Sequence, residues 1–432
     1  MNEVIADQSK LEKCFAHNPH FADKKWLCDF RYRQWQEFMA RGFPTCSDEK
    51  WKYTEIKENR VPNHSGRLVQ LQSIAKHVFS EDMQSIRVVF VNGHFAENLS
   101  NMAALPMGVT LSSVQQALAQ QEDVIKPYLT QIFDKQRFPF AVLNSALMTD
   151  GIFLQIPENV KLSTPIHLLF MNTQQNDFMI NPRNIIVANK NSQVTFIEDH
   201  VGEAAQHYFT NAVTDIYTKD NACVEYYKIQ DEDSAATHVA SLFVNQQQDS
   251  QIKTYFLARG CQLAREDVQI KQVASGAKSY LHGFYCLSKN GQHVDHHVQV
   301  DHLAAQGESV MLYRGILANK SRAVFNGKVY VDQAAKQINA HQANHNLLLS
   351  PDAEVNTKPE LEIYADDVKC THGATVGQLD SEALFYLRSR GIETEDALKI
   401  LTHAFVEEIF NQINDTTIRQ YLRKRMSVQD EL

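Results

Sequence analysis

The sequence predicts a mainly β fold, a β-rich core read as a β-solenoid, flanked by an N-terminal α/β region and a C-terminal α-helical region. Three observations lead there. From about residue 150 to residue 378, short alternating segments succeed one another and long amphipathic helical patterns disappear. Several of these segments share an opening that recurs at intervals of roughly thirty residues. Before and after this stretch the apolar spacing is helical. The chain thus divides into an N-terminal mixed region over residues 1–140, a β core over 141–378 and a helical region over 379–432.

With 432 residues the chain exceeds what one hydrophobic core usually organises, so two or three folding units or an elongated repeat are expected. The net charge of -9 is modest for this length and argues against wholesale disorder and against nucleic acid as a partner. No stretch approaches the roughly 20 uninterrupted apolar residues of a membrane span. The opening MNEVIADQSKLEK has neither an apolar signal core nor an Arg-rich transit pattern, so a cytoplasmic protein is expected. The seven cysteines, at 14, 28, 46, 223, 261, 286 and 370, lack the close pairs of a disulfide framework or a zinc ribbon and read as reduced thiols.

In chain order, Asp23 is the expected N-cap of a helix over Lys24 to Ala40, whose Trp26, Leu27, Phe30, Trp35, Phe38 and Met39 form an apolar stripe ended by Gly42 and Pro44. Ile86, Val88 and Phe90 then alternate up to Asn92-Gly93, a dipeptide suited to the positive φ angles of a tight hairpin, with Phe95 beyond. Helical spacing returns from Ser113 to Phe133, where Pro127 is expected to kink the helix or split it in two.

The recurring openings are Asn191-Ser-Gln-Val-Thr-Phe196, Asn221-Ala-Cys-Val-Glu-Tyr226 and Ser250-Gln-Ile-Lys-Thr-Tyr255, with a weaker echo in Ser275-Gly-Ala-Lys-Ser-Tyr280. A small or polar residue leading into alternating apolar positions suits a solenoid whose coils bury inward side chains against one another. A sandwich of hairpins is the alternative, although two-residue hairpin turns are not regularly placed. After Gly377, Asp380 can cap a helix from Ser381 to Arg390 that stops at Gly391. Thr394 starts a second helix with an acidic first turn and an apolar edge of Leu398, Leu401, Phe405 and Ile409, and a basic helix with Arg419, Arg423, Lys424 and Arg425 follows Asp415.

The segment richest in chemistry runs from Asn346 to Gly377. Leu361 and Ile363 alternate with Glu360 and Glu362 as on a half-exposed strand, Asp366-Asp367 marks a bend, and a further strand starts at Val368. On that strand Cys370 and His372 stand two apart, so both side chains leave one face and can address one metal. Cys370 also shares its parity with Val368, and on spacing alone the pair reads more simply as structural, with the Cys a small buried residue. A second cluster, His293-Val-Asp-His-His-Val-Gln-Val-Asp-His302, has the composition of a metal site, yet reads more simply as the solvated or partner-facing side of a β segment. No G-x-x-x-x-G-K-[ST], G-x-S-x-G, H-E-x-x-H or G-x-G-x-x-G is present, so the chain cannot by itself form a P-loop phosphate cradle.

The phrases T-K-P-E-L-E-I-Y-A-D-D-V-K-C-T-H-G-A-T-V-G, ending at Gly377, and F-Y-L-R-S-R-G-I, ending at Ile392, closely resemble the C-terminal signature of the SufB/SufD family. Ser321-Arg-Ala-Val-Phe-Asn-Gly327, Gly42-Phe-Pro-Thr45 and Trp51-Lys-Tyr-Thr54 extend the resemblance over most of the chain. Within the family, the Cys-x-His form and the length resemble SufD more than SufB.

The resemblance implies a parallel β-helix core and a scaffold role, without enzymatic activity or bound nucleotide, in iron–sulfur cluster assembly and iron acquisition. It further implies a heterodimer with SufB through the β-helix cores and docking of the SufC ATPase on the C-terminal helices, where Leu398, Leu401, Phe405 and Ile409 stand. His372, with Cys370 as its neighbour, would share with SufB the site of a transient iron–sulfur cluster or iron. A homodimer of the isolated chain, a SufB-like scaffold paralogue and a polysaccharide-cleaving β-solenoid enzyme are the other readings.

Overall fold

The computed structural model describes residues 11–12, 14–15, 24–56, 61–62, 66, 83–131, 134, 137–173, 177–202 and 207–426. Helix α1 (Lys25–Arg41) buries Leu27, Trp35 and Phe38 and ends at Gly42, whose φ of 76° only glycine adopts cheaply. Lys24 holds the N-cap position without a side-chain bond, and the expected cap Asp23 lies outside the described residues. Strands β1 (Ile86–Val91) and β2 (His94–Phe95) form the expected hairpin, with positive φ at both Asn92 and Gly93. After β3 (Thr110–Ser113), Ser113 caps α2 (Val114–Gln120) in a reciprocal capping box with Gln116.

The helical stretch does break in two, but at Gln121, which leaves helical geometry before α3 (Glu122–Leu129). Pro127 instead sits inside α3, where it removes the bond that an N–H would make to the Asp123 carbonyl without ending the helix. Helix α4 (Pro139–Leu147) is buried on all sides and packs against α1, and Arg31 Nε donates to the Ala146 carbonyl at 2.8 Å.

The core is a parallel β-helix. Its strands are β4 (Ile152–Ile156), β5 (Ile166–Asn172), β6 (Phe178–Ile180), β7 (Arg183–Ala188), β8 (Gln193–Gly202), β9 (Tyr208–Thr218), β10 (Cys223–Asp231), β11 (Thr237–Gln246) and β12 (Gln251–Ala258). They continue as β13 (Leu263–Gln272), β14 (Lys278–Leu287), β15 (His293–His302), β16 (Glu308–Leu317), β17 (Arg322–Val331), β18 (Ile338–Leu348), β19 (Glu354–Ile363) and β20 (Val368–Gly377). From β7 onward successive strands alternate between two sheets, one ordered β2-β1-β5-β8-β10-β12-β14-β16-β18-β20 and the other β19-β17-β15-β13-β11-β9-β7-β4-β3, with β6 also paired to β9. Among β4–β20 every pairing of one strand with another is parallel, which excludes the sandwich of hairpins.

The shared openings are the corners of successive coils. Cys223 is in register with Gln193 and Gln251, and Gln251 with Lys278. The residues two before these positions, Asn191, Asn221, Asp249 and Gly276, all have positive φ, a conformation that Asn, Asp and Gly tolerate best. The third opening is therefore displaced by one residue from the alignment expected from sequence. Tyr255 stacks on Tyr227, at 4.7 Å between nearly parallel rings, and not on Tyr226.

Both sheets are covered outside as well as inside. The lumen holds Val194, Phe196, Val224, Ile252, Val268, Ile270 and Val298. Helices α5 (Ser381–Ser389), α6 (Thr394–Phe410) and α7 (Thr416–Arg425) follow β20, and Ile409, Phe410, Ile418 and Leu422 pack on the outward Tyr227, Tyr255, Phe284 and Ile316 of the first sheet. Trp51, Phe140 and Leu143 of the N-terminal region cover Phe209, Val239 and Leu263 of the second. Strands β19 and β20 end their sheets, and the last coil is correspondingly exposed.

Candidate functional site

Strand β20 pairs only with β18 and leaves its other edge unpaired among the described residues. Its register sets Val368, Cys370 and His372 beside Ile338, Ala340 and Gln342, all three buried. Side-chain parity in a parallel sheet is shared across the ladder, so Cys370 and His372 continue the lumen-facing column to the open end of the coil. On the opposite face, Thr371 and Thr375 hydroxyls lie 2.8 Å from the Nδ1 atoms of His341 and His345.

Cys370 is half-buried against the lumen cluster, and this desolvation pushes its thiol pKa up, partly countered by the Ala340 backbone. It is both a packing residue and a thiol at the rim. His372 is exposed. Beneath it, Gln342 is buried with no hydrogen-bond partner for either its amide oxygen or its nitrogen. Imidazole and thiolate are competent iron ligands, but two donors on one edge strand leave a site that other donors must complete.

The expected apolar edge of α6 is graded. Ile409 is fully buried among the helices and the first sheet, Phe405 and Leu401 are half-buried, and Leu398 is exposed. The Arg314 guanidinium lies 4.6 Å from the Phe405 ring and donates to the Phe405 carbonyl at 2.6 Å. Leu398 borders a groove of about 510 Å³ between α6 and the turns that follow β16 and β18, lined also by Leu348, Leu349, Leu379 and Thr402. Sequence reasoning missed the exposed Phe385, Tyr386 and Ile400 nearby, at 73%, 56% and 46%. Phe385 and Tyr386 are adjacent on a nine-residue helix and cannot both face one side, which was the available signal.

The His293–His302 cluster departs from its expected solvated or partner-facing role. His293, Asp295 and His297 lie on one face of β15, and the segment Trp51–Thr54 covers it. Thr54 Oγ1 donates to Asp295 at 2.6 Å and lies 2.9 Å from His293 Nε2. Arg265, ion-paired to Asp295 and to Asp267 at 2.8 Å, stacks 3.7 Å from the Trp51 ring. Burial would raise the Asp295 carboxyl, but Arg265, His297 and Thr54 outweigh it and hold it well below the usual range. This is a buried polar layer joining the N-terminal region to the core. His296 and His302 face the lumen side and are buried with lowered pKa values of about 4.

Residues 170–405 match the family model described as "SUF system FeS cluster assembly, SufBD core domain", and residues 13–168 match "SufBD protein N-terminal region". The chain is 35% identical over 396 residues to an iron-sulfur cluster assembly SufBD family protein of Synechocystis, spanning 89% of this chain and 87% of that protein. It is 27% identical over 398 residues to the iron-sulfur cluster assembly protein SufD of Escherichia coli, covering 90% of each. The SufD of Bacillus subtilis is 24% identical over 410 residues, covering 92% of each. With a parallel β-helix and its last coil open, and with both family regions matched, the chain belongs to the SufBD family of the SUF iron–sulfur cluster assembly system.

Proposed function

We propose that this chain is a SufD-type scaffold subunit that hydrolyses nothing itself, pairs with a SufB-type partner and associates with a SufC-type ATPase in the cytoplasm. The observation that carries the reading is the position of His372, an exposed imidazole in the lumen-facing column of an unpaired edge strand. A partner strand added along that edge would satisfy its free backbone groups and bring further donors to the same place. His372, with Cys370 beside it, is then one side of a site whose cargo is iron or a nascent iron–sulfur cluster. The unpartnered amide of Gln342 beneath it is a polar group a neighbouring ligand or water would satisfy.

The ATPase partner fits the C-terminal helices. Leu398, Leu401 and the outer part of Phe405 line the accessible side of α6, while Ile409 anchors the helix to the core from within. Neither a P-loop nor another nucleotide cradle is found in the sequence, so hydrolysis belongs to the partner. Among the described residues no helix is long and apolar enough to cross a membrane.

The test is co-expression with SufB- and SufC-type proteins, followed by anaerobic purification and analysis of iron, acid-labile sulfide and ATPase activity. A ternary complex carrying iron and sulfide, with hydrolysis absent from this chain alone, is expected. A chain that forms no complex with either partner would overturn the proposal.

A further inference from the structure

Within the lumen, away from the open edge, lies the one group of three His, Cys, Asp or Glu donors among the described residues close enough to share a metal ion. It consists of His200 on β8, Glu232 just after β10 and His238 at the start of β11, with all three donor atoms within 4.8 Å of one another. All three side chains are buried, at 0%, 5% and 1% exposure. We propose that they form an internal site for a divalent first-row transition ion such as Zn2+ or Fe2+, separate from the edge site of His372.

The hydrogen bonding is unusual for a merely structural triad. His238 Nδ1 is paired with a Glu232 carboxylate oxygen at 2.7 Å, while its Nε2, equally buried, has no hydrogen-bond partner. Nδ1 of His200 is unpartnered as well. A buried donor or acceptor left unmade is costly, so two unpartnered imidazole nitrogens on rings gathered about one carboxylate call for a ligand. An ion drawing in all three groups removes that cost.

The surroundings supply the outer support that metal-binding histidines require. His200 Nε2 is 2.8 Å from Glu198, leaving Nδ1 free for the ion, an arrangement of carboxylate, imidazole and metal that fixes the ring. Glu198 is itself held by the Thr214 and Tyr226 hydroxyls, each at 2.8 Å, and by Asn184 at 3.2 Å. Glu232 accepts from Thr210 at 3.0 Å and Gln230 at 3.3 Å. The Cys261 sulfur is 3.5 Å from Glu232, next to the three donors.

Two imidazoles and one carboxylate suit Zn2+ or Fe2+ and not Mg2+ or Ca2+, which prefer all-oxygen shells. Bonds of about 2.1 Å place tetrahedral donors about 3.4 Å apart, so the site contracts slightly when filled. His238 also borders a small cavity that Lys228, Gln230, Glu266 and His296 line together with apolar residues such as Phe256. His200 lies six strands from β20 in its sheet, roughly 30 Å at the usual strand spacing, so the edge site and this one fill independently.

The test uses the full-length protein, stripped with a chelator, incubated anaerobically with Zn2+ and desalted, with bound metal counted by mass spectrometry. Wild type and His372→Ala should each retain one Zn2+ per chain, and His238→Gln should bind at least tenfold more weakly. Zinc-edge X-ray absorption of the wild-type protein should show imidazole scattering, a readout that does not depend on any variant folding. Wild type retaining no Zn2+, a spectrum without imidazole ligands, or a folded His238→Gln protein that binds as tightly as wild type would each overturn the site.

Discussion

Replacing Arg265 by leucine should detach the N-terminal region from the β-helix. The guanidinium is fully buried and pairs with Asp267 and Asp295, donates to the Lys50 carbonyl at 2.9 Å and stacks on Trp51. Removing one partner of a buried ion pair typically costs about 3–5 kcal/mol, because the carboxylates left behind are neither solvated nor paired. The stacked ring contact adds about 1–2 kcal/mol. A loss of about 4–7 kcal/mol is therefore expected on whatever transition separates the two layers.

The chain allows that transition to be watched directly. All three tryptophans, Trp26, Trp35 and Trp51, lie in the N-terminal region, so urea titration by tryptophan fluorescence reports that layer while far-ultraviolet circular dichroism is dominated by the β-helix. In Arg265→Leu the fluorescence midpoint should fall well below the dichroism midpoint. Adding Asp295→Asn, which removes one stranded charge, should recover about 1–2 kcal/mol. Coincident, unshifted transitions, or a loss under about 1 kcal/mol, would refute the view that this polar layer holds the region in place.

Two further outcomes follow from other parts of the molecule. The buried Asp150 carboxyl is pushed up to about 7 by desolvation, only partly offset by backbone N–H donors including Gln115. Its stabilising contribution is thus complete below the unfolded value near 4 and declines as pH rises to about 7, by up to about 4 kcal/mol. Melting curves of Asp150→Asn at pH 5 and pH 8 should therefore show a flatter pH dependence than wild type, and an unchanged slope would contradict the assignment. Leu398→Asp, on the exposed side of α6, should weaken SufC-type binding at least tenfold in calorimetry with an unchanged melting temperature. Wild-type affinity would remove this face from the docking surface. Deleting the helices is a poorer test, because α6 and α7 cover Tyr227, Tyr255 and Phe284 of the core.

The coil repeat was legible because each corner needs a left-handed residue, and Asn191, Asn221, Asp249 and Gly276 announce it. The register within the repeat was not, since helices cover the outward face of the first sheet. Outward Tyr227 and Tyr255 are as buried as inward Tyr226, so the alternation that separates the two faces is erased. Cys370 and His372 stood out by their spacing and signature, while the unpaired edge and the orphaned Gln342 beneath them belong to topology. His200 and His238 are brought together by more than one turn of the solenoid across 38 positions, and no local motif encodes that meeting. The His293–His302 cluster was legible in composition only. What covers it, Trp51 and Thr54, comes from more than 230 residues earlier.

The central claim is that His372 contributes to cluster assembly and not to folding, and it is tested by comparing His372→Ala with Cys370→Ser in the complex purified anaerobically with SufB- and SufC-type partners. His372 is exposed, so its loss should leave the melting temperature and subunit stoichiometry as in wild type while iron and acid-labile sulfide fall sharply. Cys370 packs against the lumen, so its replacement should cost roughly 1–3 kcal/mol of stability, with cluster content falling only as far as folding does. A His372→Ala complex that assembles normally and carries wild-type iron and sulfide would contradict the account.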